Sequence, residues 1–173
     1  VSVFADPSGA FTTAAGMVAI TEKHLKDKFS QNLDKSNVVI LGGTGPVGVA
    51  SAVICAKAGA NVTLVGRSLE KAEKIAGICN DRYDSKNVKG GADADKSDFF
   101  NAADIVLNTG AAGIQLMSEE HIKNSNTLKI CADTNAVPPS GIAGVDVMDN
   151  GKVIEMSPSK CLGIGALAIG NIK

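Results

Sequence analysis

The sequence predicts an α/β fold in which a doubly wound, mainly parallel sheet lies between two layers of helices. The first observation is an apolar, mostly β-branched run at residues 38–41, followed by a glycine-rich turn and a helical pattern. The second is another apolar run at residues 62–65, directly after that helix. The third is that apolar runs continue to alternate with helical segments, as is typical of parallel sheets covered on both faces. We therefore expect three layers in the order α/β/α.

In the N-terminal part of the chain we expect a loop and then one long helix. Thr12 or Thr13 can cap this helix, because a threonine hydroxyl accepts a hydrogen bond from a backbone N–H of the first turn. The helical pattern then continues to about Lys28. The helix after the glycines is expected at residues 47–58, and Gly59 is expected to end it.

Beyond the second strand the predicted elements are shorter. Ser68 and Ser118 are each expected to cap a helix, and Phe99 and Phe100 are expected to anchor the core. The predicted elements are, in chain order, a helix at 68–82, a weak strand at 87–90, a helix at 96–103, a strand at 104–108, a helix at 118–123, a strand at 128–132, and a possible strand at 145–148 with a turn at Asn150 and Gly151 leading into a short hairpin partner.

The turn after the first strand has the pattern G-x-G-x-x-G at Gly43, Gly45 and Gly48. Between a strand and a helix, this pattern is typical of a Rossmann-like dinucleotide-binding site. We expect Gly43 to allow a tight turn, Gly45 to let backbone N–H groups approach a pyrophosphate, and Gly48 to let the helix pack closely on the strand. Pro46 suits the first helical turn, where its missing N–H is not needed. The alternative is a glycine turn that binds nothing.

The residues after the second strand indicate which dinucleotide would bind. An NAD site has an acidic residue about 20 positions after the glycines, where it accepts hydrogen bonds from the ribose hydroxyls. Here the sequence is Gly66-Arg67-Ser68, and no acidic residue follows until Glu70. A guanidinium beside a hydroxyl binds a 2′-phosphate, and Lys71 would add a second positive charge. The sequence therefore predicts NADP rather than NAD.

Small and polar residues follow the other strands, at the edge where such sheets bind ligands. Residues 108–113 are small enough for a ribose to approach, although a plain turn is the alternative, and Asn135 and the two prolines after it form a shaped rim. Residues 163–170 would lie against a nicotinamide ring or would simply start a packed helix. The candidate cofactor-binding residues are Gly43, Thr44, Gly45, Pro46, Val47, Gly48, Arg67, Ser68, Lys71, Thr109, Gly110, Ala111, Asn135, Gly165 and Ala166.

The composition excludes several other classes of protein. A net charge of −1, with only five phenylalanines and one tyrosine, argues against a nucleic-acid-binding surface. No apolar run approaches the 18 or so residues of a membrane span, so none is expected. The four cysteines include no C-x-x-C pair. We therefore expect reduced core cysteines in a cytoplasmic protein, without a disulfide framework or a metal site.

Several of these stretches occur in the same order in a known family. The most specific are the Gly-Thr-Gly-Pro-Val-Gly loop at residues 43–48 and Asn-Ala-Val-Pro-Pro at residues 135–139. On these motifs the chain resembles the NADP-dependent methylenetetrahydromethanopterin dehydrogenases and, more distantly, the methylenetetrahydrofolate dehydrogenases. The resemblance starts near Phe11. The matching stretches are 12–16, 41–48, 66–68, 108–111, 133–141 and 165–173.

The resemblance implies an enzyme with two domains, of which this chain is the cofactor-binding part. By that plan, residues 1–30 are a loop and an interdomain connector helix, residues 31–173 are the NADP-binding domain, and the N-terminal substrate domain is missing from this chain. The implied substrate is a tetrahydropterin carrier, the implied reaction transfers a hydride between its methylene bridge and NADP, and the implied assembly is a homo-oligomer. Because no proton moves in that reaction, no general acid or base is needed, and no catalytic residue is assigned.

Two other functions stay open on the sequence. A reductase of the shikimate dehydrogenase type also has an arginine near the end of its second strand, but it would need a Lys/Asp pair from a preceding domain. A stand-alone regulatory NADP-binding module is the other, although the rim at residues 133–141 is elaborate for that role. A short-chain dehydrogenase is excluded, because the residue four places after Tyr83 is Asn87 and not lysine. His24 and His121 are expected to be surface histidines rather than bases or metal ligands.

Overall fold

A seven-stranded sheet forms the centre of the molecule in the computed structural model, which describes residue 3 and residues 5–172. The strand order is β3-β2-β1-β4-β5-β7-β6, and every neighbouring pair is parallel except β7 with β6. The prediction of a mainly parallel, doubly wound sheet is therefore confirmed. The strands are β1 (Asn37–Leu41), β2 (Asn61–Gly66), β3 (Val88–Ala92), β4 (Ile105–Asn108), β5 (Ile130–Asp133), β6 (Asn150–Val153) and β7 (Leu162–Ile164).

Helices cover both faces of this sheet and form two separate hydrophobic cores. Along β1, Val38 and Ile40 belong to one core, while Val39 and Leu41 belong to the other, because successive strand residues point to opposite faces. The first core is closed by α1, α2, α3 and α6, and the second by α4 and α5. The helices are α1 (Ala10–Phe29), α2 (Pro46–Lys57), α3 (Leu69–Tyr83), α4 (Lys96–Asn101), α5 (Glu119–Asn124) and α6 (Ala166–Gly170).

The first helix begins earlier than the sequence indicated. The carboxylate of Asp6 accepts hydrogen bonds from the backbone N–H groups of Phe11 (2.8 Å) and Thr12 (3.1 Å), across a short 3₁₀ turn. Helix α1 therefore starts at Ala10, and the prediction that Thr12 or Thr13 caps it is wrong. Thr12 lies within the first turn and donates its own hydroxyl to Asp6 at 2.8 Å.

The possible strand at residues 145–148 does not form. Instead, two aspartates close a turn there: Asp146 N–H donates to Asp149 Oδ2 at 2.8 Å, and Met148 N–H donates to Asp146 Oδ1 at 2.9 Å. The expected turn at Asn150 and Gly151 is itself the start of β6, which pairs antiparallel with β7. Gly151 has a φ of +77° at an irregularity in the β6–β7 register, which explains the turn-like sequence inside a strand.

The buried residues agree with most of the expected core. Phe100 is fully buried and Phe99 packs partly buried against the same core. All four cysteines are buried and unpaired. Burial raises the pKa of the Cys55 thiol to about 12, so this group is a packing residue rather than a nucleophile. None of the helices within the described residues has the length and apolar character needed to cross a bilayer.

Candidate functional site

The candidate site lies at the carboxyl edge of the sheet, where β1 and β4 are neighbours. The chain leaves β1 through α2 toward β2 on one side, whereas β4 lies on the other side of β1. Leu41 and Asn108 are register partners at the ends of these two strands. In open α/β sheets such a change of direction leaves a crevice at the strand ends, and ligands bind there.

The tight turn after β1 is made by Gly42, not by Gly43 as the sequence predicted. Gly42 has a φ of +65°, and a Cβ on it would lie 2.6 Å from the Cα of Gly110. Gly43 instead lies against β2, where an added Cβ would be 2.7 Å from Leu64 Cδ2. The pattern G-x-G-x-x-G did not include Gly42, so the sequence analysis assigned the turn one residue too late.

Gly45 and Gly48 have opposite surroundings at the start of α2. A Cβ on Gly48 would lie 2.6 Å from the Cα of Gly43, so this glycine lets the helix pack directly on the loop. A Cβ on Gly45 would meet only the carbonyl oxygen of Gly42, at 3.5 Å, so the space beside Gly45 is open. Gly45 caps α2 without a side-chain hydrogen bond, and Pro46 is the first helical residue. The N–H groups of the first turn, including that of Val47, therefore have no partner within the helix and face an open cradle that suits an anion.

The charged residues expected to select the dinucleotide lie beside this loop, at the end of β2. Arg67 and Lys71 are exposed, and among the described residues neither forms an ion pair. Ser68 caps α3 by accepting the N–H of Lys71 at 3.3 Å. Thr44 connects the two segments, since a Cβ on Gly66 would lie 2.8 Å from its Cγ2. The loop after β1 and the cationic start of α3 therefore form one surface.

The loop after β4 packs against the glycine loop. Thr109 donates both its N–H and its hydroxyl to the carbonyl oxygen of Leu41, each at 2.9 Å. Gly110 then lies against Gly42, and Ala111 is exposed. The structure thus brings the predicted residues 109–111 next to residues 43–48.

A buried polar network holds the ends of β4 and β5 together. The Asp133 carboxylate is 1% exposed, and its Oδ1 accepts hydrogen bonds from Asn108 Nδ2 at 2.8 Å and from the N–H of Asn135 at 2.9 Å. Its Oδ2 accepts the N–H of Ile142 at 3.0 Å. Asn108 is fully buried and uses its Oδ1 to accept the N–H of Gly110 at 3.0 Å. The sequence indicates polar residues at these strand ends but not the hydrogen bond between Asn108 and Asp133.

Asn135 fixes the rim that follows β5. Its side-chain oxygen accepts the N–H groups of Val137 at 2.9 Å and Gly113 at 3.3 Å, and its Nδ2 donates to the carbonyl oxygen of Pro139 at 2.8 Å. The peptide bond between Pro138 and Pro139 is cis. Asn135 therefore shapes the rim through its own hydrogen bonds and is 7% exposed.

Gly165 and Ala166 lie on the same edge but farther from β1, after β7. Gly165 is buried, donates its N–H to the carbonyl oxygen of Asp149 at 2.8 Å, and lies against the backbone of Asp146. Ala166 is half-buried at the start of the short helix α6. Two strands, β4 and β5, separate this end from the glycine loop.

The two histidines are half-buried and form hydrogen bonds to neighbouring elements, so neither is a freely exposed surface side chain. His24 Nε2 lies 2.8 Å from the side-chain oxygen of Asn150, which connects α1 to β6. His121 Nδ1 accepts the N–H of Ser118 at 3.1 Å and completes the cap of α5. Among the described residues, no group of histidines, cysteines and carboxylates could hold a metal ion.

An apolar groove of about 510 Å³ also borders the glycine loop, and the sequence analysis missed it. It runs between the start of α1, the exposed side of α2 and the end of α3. Pro46, Val49, Val53 and Ile54 line it from α2. The spacing of Pro46, Val49 and Val53, three and then four residues apart, is the signal in the sequence, since it places them on one helix face.

Comparison with known proteins gives relatives whose sequences align with this chain over nearly its whole length. No family model matches. The NAD(P)-dependent methylenetetrahydromethanopterin dehydrogenase of Methylorubrum extorquens is 41% identical over 174 residues, which cover 99% of this chain and 58% of the relative. A protein of the same organism, described as bifunctional protein MdtA, is 38% identical over 176 residues, or 100% of this chain and 58% of its own length. The chain therefore spans somewhat more than half the length of these relatives.

Solved structures with low sequence identity share the fold. The transhydrogenase of Sinorhizobium meliloti has a TM-score of 0.70 at 18% identity, covering 95% of this chain and 49% of that one. The dipicolinate synthase A chain of Bacillus subtilis has a TM-score of 0.68 at 17% identity, covering 99% and 54%. Quinate dehydrogenase of Corynebacterium glutamicum, solved with NAD, has a TM-score of 0.62 at 17% identity, covering 92% and 52%.

These structures support the Rossmann-like architecture, and the sequence relatives confirm the resemblance that the motifs indicated. With 41% identity over 99% of its length, this chain is a relative of the NAD(P)-dependent methylenetetrahydromethanopterin dehydrogenases and corresponds to a part of them.

Proposed function

We propose that this chain is the NADP-binding part of a methylene-tetrahydropterin dehydrogenase, an oxidoreductase of one-carbon metabolism that transfers a hydride between a pterin methylene bridge and NADP. The observation that carries the proposal is the identity of 41% over 99% of the chain to a dehydrogenase of that name. The open, uncapped start of α2 at the β1–β4 crevice supports it, because it is the feature that a dinucleotide pyrophosphate requires.

The residues present fit NADP at both of its charged ends. The N–H groups at the start of α2 would hold the pyrophosphate in the open space beside Gly45. Arg67 and Lys71, exposed and without an ion pair among the described residues, would hold the 2′-phosphate together with the Ser68 hydroxyl. Thr44 would lie between these two places, since it already contacts Gly66.

The remaining candidate residues would keep the reacting ends in place. When bound, the nicotinamide cofactor supplies the acceptor for the hydride. Thr109, Gly110 and Ala111 would lie beneath the nicotinamide. The rim held by Asn135 would form one side of its site. Gly165 and Ala166 would form the end of the site that is farthest from β1. The work of these residues is to orient the two reactants and exclude water, because the reaction moves no proton.

The substrate-binding part is proposed to come from the remaining length of the relatives, which this chain does not span. In that plan residues 1–30 form the loop and connector helix, and residues 31–173 form the NADP-binding domain. Helix α1 packs on that domain, and its Met17 and Leu25 are fully buried in the first core. This packing supports α1 as a rigid connector rather than a flexible linker.

Assembly and location are the finer parts of the proposal. We propose a homo-oligomer, because Ile54 and Tyr83, which line the apolar groove, expose 37% and 43% of their surface. We propose the cytoplasm as the compartment, because four buried cysteines remain as thiols.

Calorimetric titration with NADP and NAD tests the proposed cofactor. We expect the chain to bind NADP more tightly, and Arg67→Ala to remove most of the preference. A charge-assisted hydrogen bond of about 1.5–3 kcal/mol corresponds to roughly tenfold to 100-fold in affinity. Arg82→Ala is the matched control, because Arg82 is an exposed arginine in the last turn of α3, at the opposite end of that helix from Arg67. Equal affinities for NADP and NAD in the unchanged chain would contradict the proposal.

A further inference from the structure

Asp133 is a buried carboxylate at the carboxyl edge of the sheet, and it accepts three N–H groups from two segments, the end of β4 and the loop that follows β5. It accepts N–H groups from Asn108 at the end of β4, from Asn135 at the start of the rim, and from Ile142 at the end of the rim. No lysine, arginine or histidine forms an ion pair with it within the described part of the chain. Burying a carboxylate is costly unless hydrogen bonds satisfy it. The position of the Asp133 side chain therefore depends on these three donors, and the positions of the three donors depend on Asp133.

The network continues from Asp133 to the glycine loop. Asn108 donates to Asp133 with its Nδ2 and accepts the N–H of Gly110 with its Oδ1. Gly110 in turn lies against Gly42, so close that a Cβ on Gly42 would be 2.6 Å from the Cα of Gly110. Gly141, on the rim, lies directly against the side-chain amide of Asn108. One chain of contacts therefore runs from the rim, through Asp133 and Asn108, to the loop after β1.

The strand order shows which half of the cofactor this network faces. In the proposed function, Arg67 at the end of β2 takes the 2′-phosphate, and the start of α2 after β1 takes the pyrophosphate. The order β2-β1-β4-β5 places β4 and β5 on the opposite side of β1 from Arg67. The nicotinamide half of the dinucleotide would therefore extend from β1 over the ends of β4 and β5, which Asp133 and Asn108 hold.

We propose that Asp133 is a positioning residue for the nicotinamide half of NADP, acting through Asn108 and through the segment at residues 135–142, which contains the rest of the rim. This inference rests on the proposed function. Asp133 reaches the glycine loop only indirectly, through Asn108 and Gly110, and it does not contact the residues at the end of β2 and the start of α3 that form the adenosine side of the site. Its removal should therefore weaken binding of the complete dinucleotide and leave binding of the adenosine half unchanged.

Substitution Asp133→Asn, with two ligands titrated by calorimetry, tests this proposal. The amide keeps the size of the carboxylate but replaces one acceptor oxygen with a donor, so at least one of the three N–H groups loses its acceptor. We expect the dissociation constant of NADP to rise about tenfold, the size of one lost hydrogen bond. We expect the dissociation constant of 2′,5′-ADP, which lacks the nicotinamide half, to stay within about twofold of the unchanged chain, the scatter expected of a distant substitution.

Asp104→Asn is the matched control. Asp104 also accepts a backbone N–H, from Asn37 at 2.8 Å, but it precedes β4 and lies at the opposite edge of the sheet. This variant should leave both dissociation constants unchanged at temperatures where it is folded. If Asp133→Asn does not fold, Asn108→Ser decides instead, because it breaks the link to Gly110 and leaves the backbone donors of Asp133 in place; the same selective loss is expected.

Two results would overturn the positioning role: an equal loss of affinity for NADP and 2′,5′-ADP, or no loss for either, in a folded variant. A merely structural role of Asp133 would give one of these. If the unchanged chain binds neither ligand, the failure lies in the proposed function and not in the role of Asp133.

Discussion

Four glycines, in the loop after β1 and the first turn of α2, have four different surroundings. Gly42 has a left-handed backbone and lies against Gly110, Gly43 lies against β2, and Gly48 lies against Gly43. Only Gly45 has open space where a side chain would be. At three of the four positions the fold has no room for a Cβ, and at the fourth, Gly45, the open space is where we propose that the pyrophosphate binds.

This difference predicts opposite outcomes for two substitutions. Gly45→Val should fold, because its extended backbone (φ −85°, ψ 169°) accepts a β-branched residue and the nearest atom to its Cβ is 3.5 Å away. It should lower NADP affinity by more than about tenfold, since the side chain would occupy the place of the pyrophosphate and remove its hydrogen bonds. Thermal unfolding and calorimetry on the same sample measure both properties.

Gly48→Ala is the contrasting variant. Its Cβ would lie 2.6 Å from the Cα of Gly43, and forcing a side chain into a packed place costs about 1–3 kcal/mol of the free energy of unfolding.

Unchanged NADP affinity in a folded Gly45→Val variant would show that the loop is only a turn.

At the scale of elements, helix α5 carries a pH-sensitive cap. His121 Nδ1 accepts the N–H of Ser118 at 3.1 Å, its Nε2 lies 3.2 Å from the Ser97 hydroxyl, and its ring packs edge-on against Phe100 with centroids 5.1 Å apart. Burial, and then the positive charge of Lys96, lower the pKa of His121 below its ordinary value. Protonation of Nδ1 would also remove the bond that it accepts from Ser118.

The fold should therefore lose stability as the pH falls below about 6.5, the pKa of a histidine in an unfolded chain. Below that pH the unfolded state binds a proton that the folded state resists, so the free energy of unfolding decreases with falling pH until the folded-state pKa is passed. Urea unfolding at pH 7.5 and pH 5.5 measures this loss. His121→Gln should reduce it, because glutamine can also complete a helix cap and does not titrate.

His24→Gln is the control for replacing a histidine with glutamine elsewhere in the chain. A loss of stability that is the same in His121→Gln as in the unchanged protein would show that another group causes it.

The elements also show how far sequence patterns extend. The apolar runs and their flanking glycines, prolines and serines predicted most helices and five of the strands, because those signals are local. The start of α1 was missed because its cap, Asp6, acts across an intervening 3₁₀ turn on residues five and six positions later. Strand β6 was missed because Asn150 and Gly151 have turn propensity, and pairing with β7 overrides it.

For the site, the sequence predicted which segments lie at the same edge of the sheet but not the hydrogen bonds that connect them. Asn108 and Asp133 are 25 positions apart, and they bond because the β4–β5 register places them side by side. That register depends on how the intervening helix and loops pack on the sheet, and no local pattern contains this information. The exposed positions of Arg67 and Lys71, by contrast, follow directly from their place after a buried strand.

At the scale of the whole molecule, we expect this chain to form one of the two walls of a substrate cleft. The chain covers 58% of the related dehydrogenase, and a pterin would need a second wall to exclude water from the reacting carbon. We therefore expect the chain alone to bind NADP and to show no measurable oxidation of a methylene-tetrahydropterin. Supplying the remaining region of a relative, fused or as a separate chain, should restore turnover in a spectrophotometric assay of NADPH formation.

The same mixture made with Gly45→Val is the control and should stay inactive, because the added region cannot replace the pyrophosphate site. Robust dehydrogenase activity from these 173 residues alone would contradict the proposed division of labour.

The close approach of Gly42 to Gly110 limits which residues of this site can change during evolution. A side chain on Gly42 would meet the backbone of residues 109 and 110, so this position cannot accept a bulkier residue unless the backbone of the loop after β4 moves. A Cβ on Gly110 would instead meet the end of the Leu116 side chain, which can move at lower cost than backbone. Gly42 should therefore be harder to replace than Gly110, and new ligand preferences in relatives of this chain should arise at exposed residues such as Arg67 rather than at Gly42.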